Sequence, residues 1–228
     1  MRWSSIALLF GIMVLVTVDV LLDGPLRHLD WTVHEFCDAH VRGGWLTAVH
    51  VATKLGQRGD LVLLIMPLAV VATVRTRALR YAVLSVVIVI VLSLLQTGLK
   101  AVIPRTYPVS GTDVLFAGGD AYPSGHTLNA FVLVWLILEL LVVAFPAVRL
   151  PQRWRRNIPL VTGCVAGAAL TLADEHWLTD VLFSLALGPV LLAALIAAAP
   201  RVRRADGWPR ILRTPSRPMR RVRRPGRG

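Results

Sequence analysis

The sequence predicts an all-α fold, a bundle of six membrane-spanning helices, and three observations carry that prediction. Six apolar runs are each long enough, as helix, to cross about 30 Å of hydrocarbon. The chain is 55% hydrophobic and 17% charged, where a soluble domain averages about 25% charged residues. Its cations also fall mainly in alternate connecting segments, the pattern of a chain that threads back and forth across a bilayer.

The first run, residues 4–22, has no small-x-small cleavage site before Asp23, so it reads as a retained spanning helix rather than a cleaved signal peptide. A long segment, 23–58, follows as an outer loop. In the second run, 59–75, only Leu61 to Val74 is free of charge, which puts Asp60 and Arg75 at opposite interfaces with Arg75 snorkelling to water. The third run covers 81–99, the fourth 127–145, the short fifth 158–174 and the sixth 179–199. Asp19 and Glu139 fall inside runs, where an acid is expensive, and each is expected to pair with a neighbouring helix. Six of the seven tryptophans, all but Trp135, lie near helix ends or loops and fit an interfacial aromatic belt.

Arg2, then Arg75, Arg77 and Arg80, then Arg149, Arg153, Arg155 and Arg156, and finally a C-terminal arginine cluster lie on one side if six helices alternate. The positive-inside rule therefore puts both termini in the cytoplasm. The formal charge is +12, but residues 201–228 hold eleven arginines and Asp206, leaving only +2 for residues 1–200. Residues 1–200 thus read as one transmembrane domain and 201–228 as a disordered cytoplasmic tail, held against anionic lipid at about 1 kcal/mol per nearby arginine. Nucleic acid is not expected as a partner. Cys37 and Cys164 belong to the outer loop and a helix interior, so no disulfide is expected. His28, His34, His40 and His50 fit no compact metal spacing and read as solvated loop histidines.

The opposite face receives 23–58, 100–126 and the tight turn 175–178, and the chemically active side chains converge there. Lys100 and Arg105 follow the third helix, His126 opens the fourth, His176 closes the fifth and Asp180 opens the sixth. Ser124 and Gly125 stand where an N-cap belongs, and a helix N-terminus offers unpaired N–H groups and positive potential to an anion. A phosphoryl group needs cations for its equatorial oxygens, and in-line displacement needs a nucleophile on one side and a proton donor on the other. Two imidazoles near neutral pH can serve both ends.

"KAVIPRTYP" (100–108), "YPSGH" (122–126) and "HWLTD" (176–180) resemble, in that order, the three signature blocks of the type 2 phosphatidic acid phosphatase (PAP2) family. The resemblance covers about residues 20–199, with "DGPLRHLD" similar to the start of the family's first outer loop. It implies that His176 is the nucleophile that forms a phosphohistidine, that Asp180 fixes its tautomer, and that His126 protonates the leaving oxygen and then activates water. Lys100 and Arg105, with backbone donors of Ser124 and Gly125, are implied to hold the phosphate, with no metal or other cofactor. Two departures stand out. Tyr107 occupies the family's arginine position before Pro108, leaving Arg105 as its stand-in, and Ala169 and Leu170 replace the Ser-Arg pair upstream of the third-block histidine. Tyr107 itself reads as packing or an interfacial anchor. Arg42, Lys54 and Arg58 in the first outer loop are the cations available to compensate.

The resemblance implies a multi-pass plasma-membrane lipid phosphatase acting at the extracytoplasmic face on an amphiphile such as an isoprenoid diphosphate or a phosphatidic-acid-like lipid. Two alternatives stay open: a phosphotransferase of the same superfamily, and a non-catalytic protein that binds lipid phosphate.

Overall fold

The computed structural model describes residues 2–204, and all regular structure among them is helical. Eight α-helices follow one another: α1 (Trp3–Leu21), α2 (Pro25–His40), α3 (Gly43–Thr53), α4 (Arg58–Thr76), α5 (Arg80–Val102), α6 (Gly125–Ala144), α7 (Gln152–Leu172) and α8 (Leu178–Arg204). Five of them, α1, α4, α5, α6 and α8, are long and apolar enough to cross a membrane. Their near-unbroken runs of Leu, Val, Ile and Ala suit that setting, because a helix satisfies its backbone polar groups without water.

The fifth expected span, 158–174, differs from the others. Helix α7 starts six residues before the predicted run at 158, and its first turns carry Arg153, Arg155 and Arg156. What remains is rich in Gly, Ala and Thr, so the helix is long but does not match the other five in apolar character. Its small residues have a packing role. A Cβ on Gly163 or on Gly188 of α8 would overlap the Phe131 ring of α6, and one on Gly167 would meet Val181 at 2.8 Å. Lipid is as apolar as a leucine side chain, so helices in a bilayer associate through close van der Waals contact, which small residues permit.

Helix α6 is the centre of the bundle, packed by α4, α7 and α8, with Leu128, Phe131 and Leu133 fully buried. Helix α1 lies against α8, and Val16 and Val20 join Tyr122 in a second cluster. The outer surface stays apolar, with Leu8, Phe10, Leu63, Val91 and Leu94 exposed. Glu139 forms an ion pair with Arg155 at 2.7 Å, joining α6 to α7.

The segment 23–58, expected as a loop, is largely helical. Pro25 sits in the first turn of α2, and Asp19 accepts hydrogen bonds from the Leu26 and Arg27 amides at 3.2 and 2.8 Å, capping the helix from the end of α1. Asp19 thus joins consecutive helices, as an acid at that depth was expected to do. Leu26, Asp30, Val33, Cys37 and Val41 recur at helical spacing and form the inward face. After α3, a 3₁₀ turn at Lys54–Gly56 carries the chain onto the start of α4. The expected arginine tail lies, from residue 205 onward, outside the described residues; α8 itself runs on to Arg204.

Candidate active site

Four helix ends meet at one end of the bundle: the last turn of α5, the first turns of α6 and α8, and the start of α4 with the turn before it. Ser124 caps α6 through its side chain, which accepts from the Thr127 amide at 3.4 Å. Its own amide, expected to serve phosphate, instead donates to the Asp180 carbonyl at 3.2 Å, and the Ser184 hydroxyl donates to the Ser124 carbonyl at 3.0 Å. Ser124 therefore joins α6 to α8. The amides of Gly125 and His126 have no hydrogen-bond partner among the described residues.

The two expected histidines come together, with ring centroids 6.4 Å apart. His176 is buried, and its Nδ1 lies 3.3 Å from Asp180 Oδ2, which also accepts the Trp177 amide at 3.1 Å. With Nδ1 directed at the carboxylate, Nε2 is the nitrogen left for chemistry. His126 Nε2 lies 3.0 Å from Gln57 Oε1, so a side-chain amide between the 3₁₀ turn and α4 orients that ring. Lys100 is half-buried; its ammonium donates to the Asp120 carbonyl and lies 3.8 Å from the Asp120 carboxylate.

A cleft of about 360 Å³ opens here, lined by His50, Tyr107, His126, Asp174, Glu175 and His176 among others. Tyr107, in the position where the family has arginine, sets its ring edge-on to His176 at 5.4 Å and donates from its hydroxyl to Asp120 Oδ1 at 2.7 Å. Burial and the adjacent Asp120 push that hydroxyl above its ordinary range, keeping it a protonated donor. A wider cavity of about 750 Å³ near the opposite end, lined by Arg153, Arg156 and Pro189, has neither imidazole nor carboxylate among the described residues that line it.

Arg105 requires the main correction. Expected as a phosphate ligand, it is fully buried, and all five of its N–H donors are occupied. Nε donates to Asp113 Oδ1 at 2.7 Å; Nη1 to Thr179 Oγ1 at 2.7 Å and Asp180 Oδ1 at 2.9 Å; Nη2 to Asp30 Oδ2 at 2.7 Å and Asp113 Oδ2 at 2.8 Å. Trp177 lies under the guanidinium, 5.1 Å from ring centroid to Cζ. Burial opposes the Arg105 charge, but Asp113, Asp180 and Asp30 outweigh it and hold the group firmly protonated. Burial likewise pushes Asp113 upward, while its bonds to Arg105 and Arg27 win and hold its carboxyl below the usual range. The hub locks α2, the 103–124 loop and α8 together and fixes the back of Asp180. It leaves nothing with which Arg105 could grip a ligand.

Other outcomes also depart from expectation. His34 is not a solvated loop residue: its Nδ1 lies 2.7 Å from Asp174 Oδ1, tying α2 to the turn after α7. Trp31 and Trp177 pack against each other at 5.2 Å inside the protein rather than in an interfacial belt. Gln57, Gln96 and Asn129 also belong to the site. Gln96 Nε2 donates to Asn129 Oδ1 at 2.8 Å and to the Gly125 carbonyl at 3.3 Å, and Asn129 donates to the Gly56 carbonyl at 3.1 Å. Gln96 and Asn129 fall inside apolar runs, where an amide demands a partner, whereas Gln57 lies outside any run.

Fold and site together define a membrane-type helical bundle with a paired-histidine centre at one end. A family model for the PAP2 superfamily matches residues 77–204, and the chain belongs to that superfamily. The crystal structure of a transmembrane PAP2-type phosphatidylglycerolphosphate phosphatase from Bacillus subtilis has the same fold, with a TM-score of 0.69 at 20% identity, covering 88% of this chain and 98% of that one. No curated protein matches the chain in sequence.

Proposed function

We propose that the protein is a multi-pass plasma-membrane lipid phosphatase that removes phosphate from an amphiphile, an isoprenoid diphosphate or a phosphatidic-acid-like lipid, at the extracytoplasmic face. The observation that carries this reading is the pair of imidazoles 6.4 Å apart on one cleft, with Asp180 behind the buried ring. That separation leaves room for a phosphoryl group between a nucleophile and a proton donor. His176 Nε2 forms a bond to phosphorus as the bond from phosphorus to the lipid oxygen breaks, and His126 gives the departing oxygen its proton. His126 then takes a proton from water, whose oxygen attacks phosphorus as the N–P bond breaks, releasing inorganic phosphate. Asp180 balances the positive charge that develops on the His176 ring, and Lys100 with the Gly125 amide faces the phosphate oxygens. The apolar exterior below the cleft suits the acyl or prenyl chain of such a substrate. The arginine tail on the cytoplasmic side is assigned to anionic lipid.

None of these roles needs a metal, so phosphate release from a lipid-phosphate panel should survive EDTA and be lost in His176→Ala. Activity that disappears on chelation and returns with added metal, or that persists undiminished in His176→Ala, would refute this chemistry. Product analysis with added alcohols checks the fate of the phosphoryl group: exclusive transfer to an alcohol would make the enzyme a transferase instead.

A further inference from the structure

We infer that Arg58 is the phosphate-binding cation this chain uses in place of the arginines missing at Tyr107 and Leu170, acting with Lys100 and the unpaired amides at the start of α6. The inference builds on the phosphoryl-transfer reading of the site, and nothing in the three signature blocks assigns it. Residue 58 lies outside the 77–204 span that the family matches.

Position comes first. The guanidinium of Arg58 donates through Nη2 to Gln96 Oε1. That oxygen lies 3.1 Å, and Lys100 Cε 3.8 Å, from the point where a Cβ on Gly125 would stand. A guanidinium, the stem of an ammonium and the first free amides of α6 therefore converge at one place, and the absent side chain of Gly125 is what lets them approach. The preceding residue, Gln57, holds His126 at 3.0 Å. One residue earlier, Gly56 presses so closely on the His126 carbonyl that any Cβ there would overlap it. Asn129 fastens the same glycine by its carbonyl at 3.1 Å. Arg58 is thus held in fixed relation to the proton-donating histidine.

Availability comes second. Arg105 has no donor left, whereas Arg58 is half-buried, makes that single hydrogen bond and forms no ion pair with a carboxylate among the described residues. Lys100 is partly offset by Asp120 at 3.8 Å, and the cleft wall adds Asp174 and Glu175. A phosphate dianion there needs a second cation. Of the other three cations in the same segment, Arg27 is paired with Asp113 at 2.7 Å, Arg42 donates to the Asp38 carbonyl at 3.0 Å on the exposed link between α2 and α3, and Lys54 is exposed in the 3₁₀ turn.

The test uses orthovanadate, which adopts the pentacoordinate geometry of the transferring phosphoryl group, titrated calorimetrically into the full chain in detergent micelles. Arg58→Ala should weaken vanadate binding about ten- to a hundredfold, the equivalent of one charge-assisted hydrogen bond. Arg42→Ala should leave binding unchanged, and Arg58→Lys should recover part of the loss. Arg58→Gln keeps a donor for Gln96 without the charge and separates ligand binding from support: it should bind as poorly as Arg58→Ala. If Arg58→Gln binds like wild type, Arg58 only props Gln96 and the inference falls; it falls equally if wild type binds no vanadate or if Arg42→Ala loses as much. Phosphate release is measured separately. A wild type that binds vanadate through Arg58 yet hydrolyses no lipid phosphate ends the phosphatase reading and leaves this one standing.

Discussion

Arg105 and Arg58 carry the same guanidinium into different surroundings. Arg105 meets three carboxylates away from water, and the four bonds it makes to them are what allow Asp30, Asp113 and Asp180 to be buried at all. Asp113 gives that cluster a pH signature. Its carboxyl titrates lower in the fold than in the unfolded chain, so its contribution is complete above the unfolded value near 3.9 and disappears as the pH falls through the lower, folded one. That contribution of Asp113 should be lost from wild type on acidification below about pH 4, against the opposite pull of Asp30, whose carboxyl is pushed upward by burial. Asp113→Asn should melt lower at pH 7, by about 3 kcal/mol of lost stability, and should show a shallower acid limb; parallel acid limbs in the two proteins would contradict the assignment. Residue type alone made Arg105 look like a ligand, because "KAVIPRTYP" names the guanidinium but not Asp30, which lies 75 residues earlier and supplies one of its acceptors. His126, His176 and Asp180 were legible for the opposite reason: they sit at helix ends whose positions follow from the apolar runs.

Helix α6 is enclosed because its neighbours yield space to it. Gly188→Leu should drive a side chain into Phe131 and separate α8 from α6, at a cost of about 1–3 kcal/mol. Since α8 begins with His176's partner Asp180, the same change should lower both melting temperature and activity. A Gly188→Leu protein with unaltered melting and turnover would mean the two helices do not close as described. The long spans could be read from hydropathy, to within about three residues at most ends. Helix α2 could not, although Leu26, Asp30, Val33, Cys37 and Val41 mark a helical face. Its inward face includes a charged residue, and a search for membrane crossings passes over a stripe that is only half apolar. Helix α7 was legible as the run 158–174, but its first six residues were not, because Arg153, Arg155 and Arg156 stand in its opening turns.

Taken as a whole, the bundle is polarised. The histidine cleft occupies one end, and Arg75, Arg149, Arg153 and Arg156 belong to the other, which the positive-inside rule assigns to the cytoplasm. In a background lacking Cys37 and Cys164, Val109→Cys at the site end should react with a membrane-impermeant maleimide in intact cells. Val148→Cys, on the link between α6 and α7, should react only after permeabilisation; the reverse pattern would invert the topology and move the chemistry to the cytoplasmic leaflet. The hub at Arg105 also bears on how the protein is made. Asp30 leaves the ribosome 149 residues before Thr179, whose amide it finally accepts, an interval of roughly 7 to 30 s at ordinary elongation rates. Once Arg105 and Asp113 have been made, the nascent chain can pair Arg105 with Asp30 and Asp113, but its Nη1 still finds neither Thr179 nor Asp180. Translation of the last helix is thus the step that completes the hub, and a polypeptide released before residue 178 lacks the Thr179 and Asp180 contacts that join α2 and Arg105 to α8.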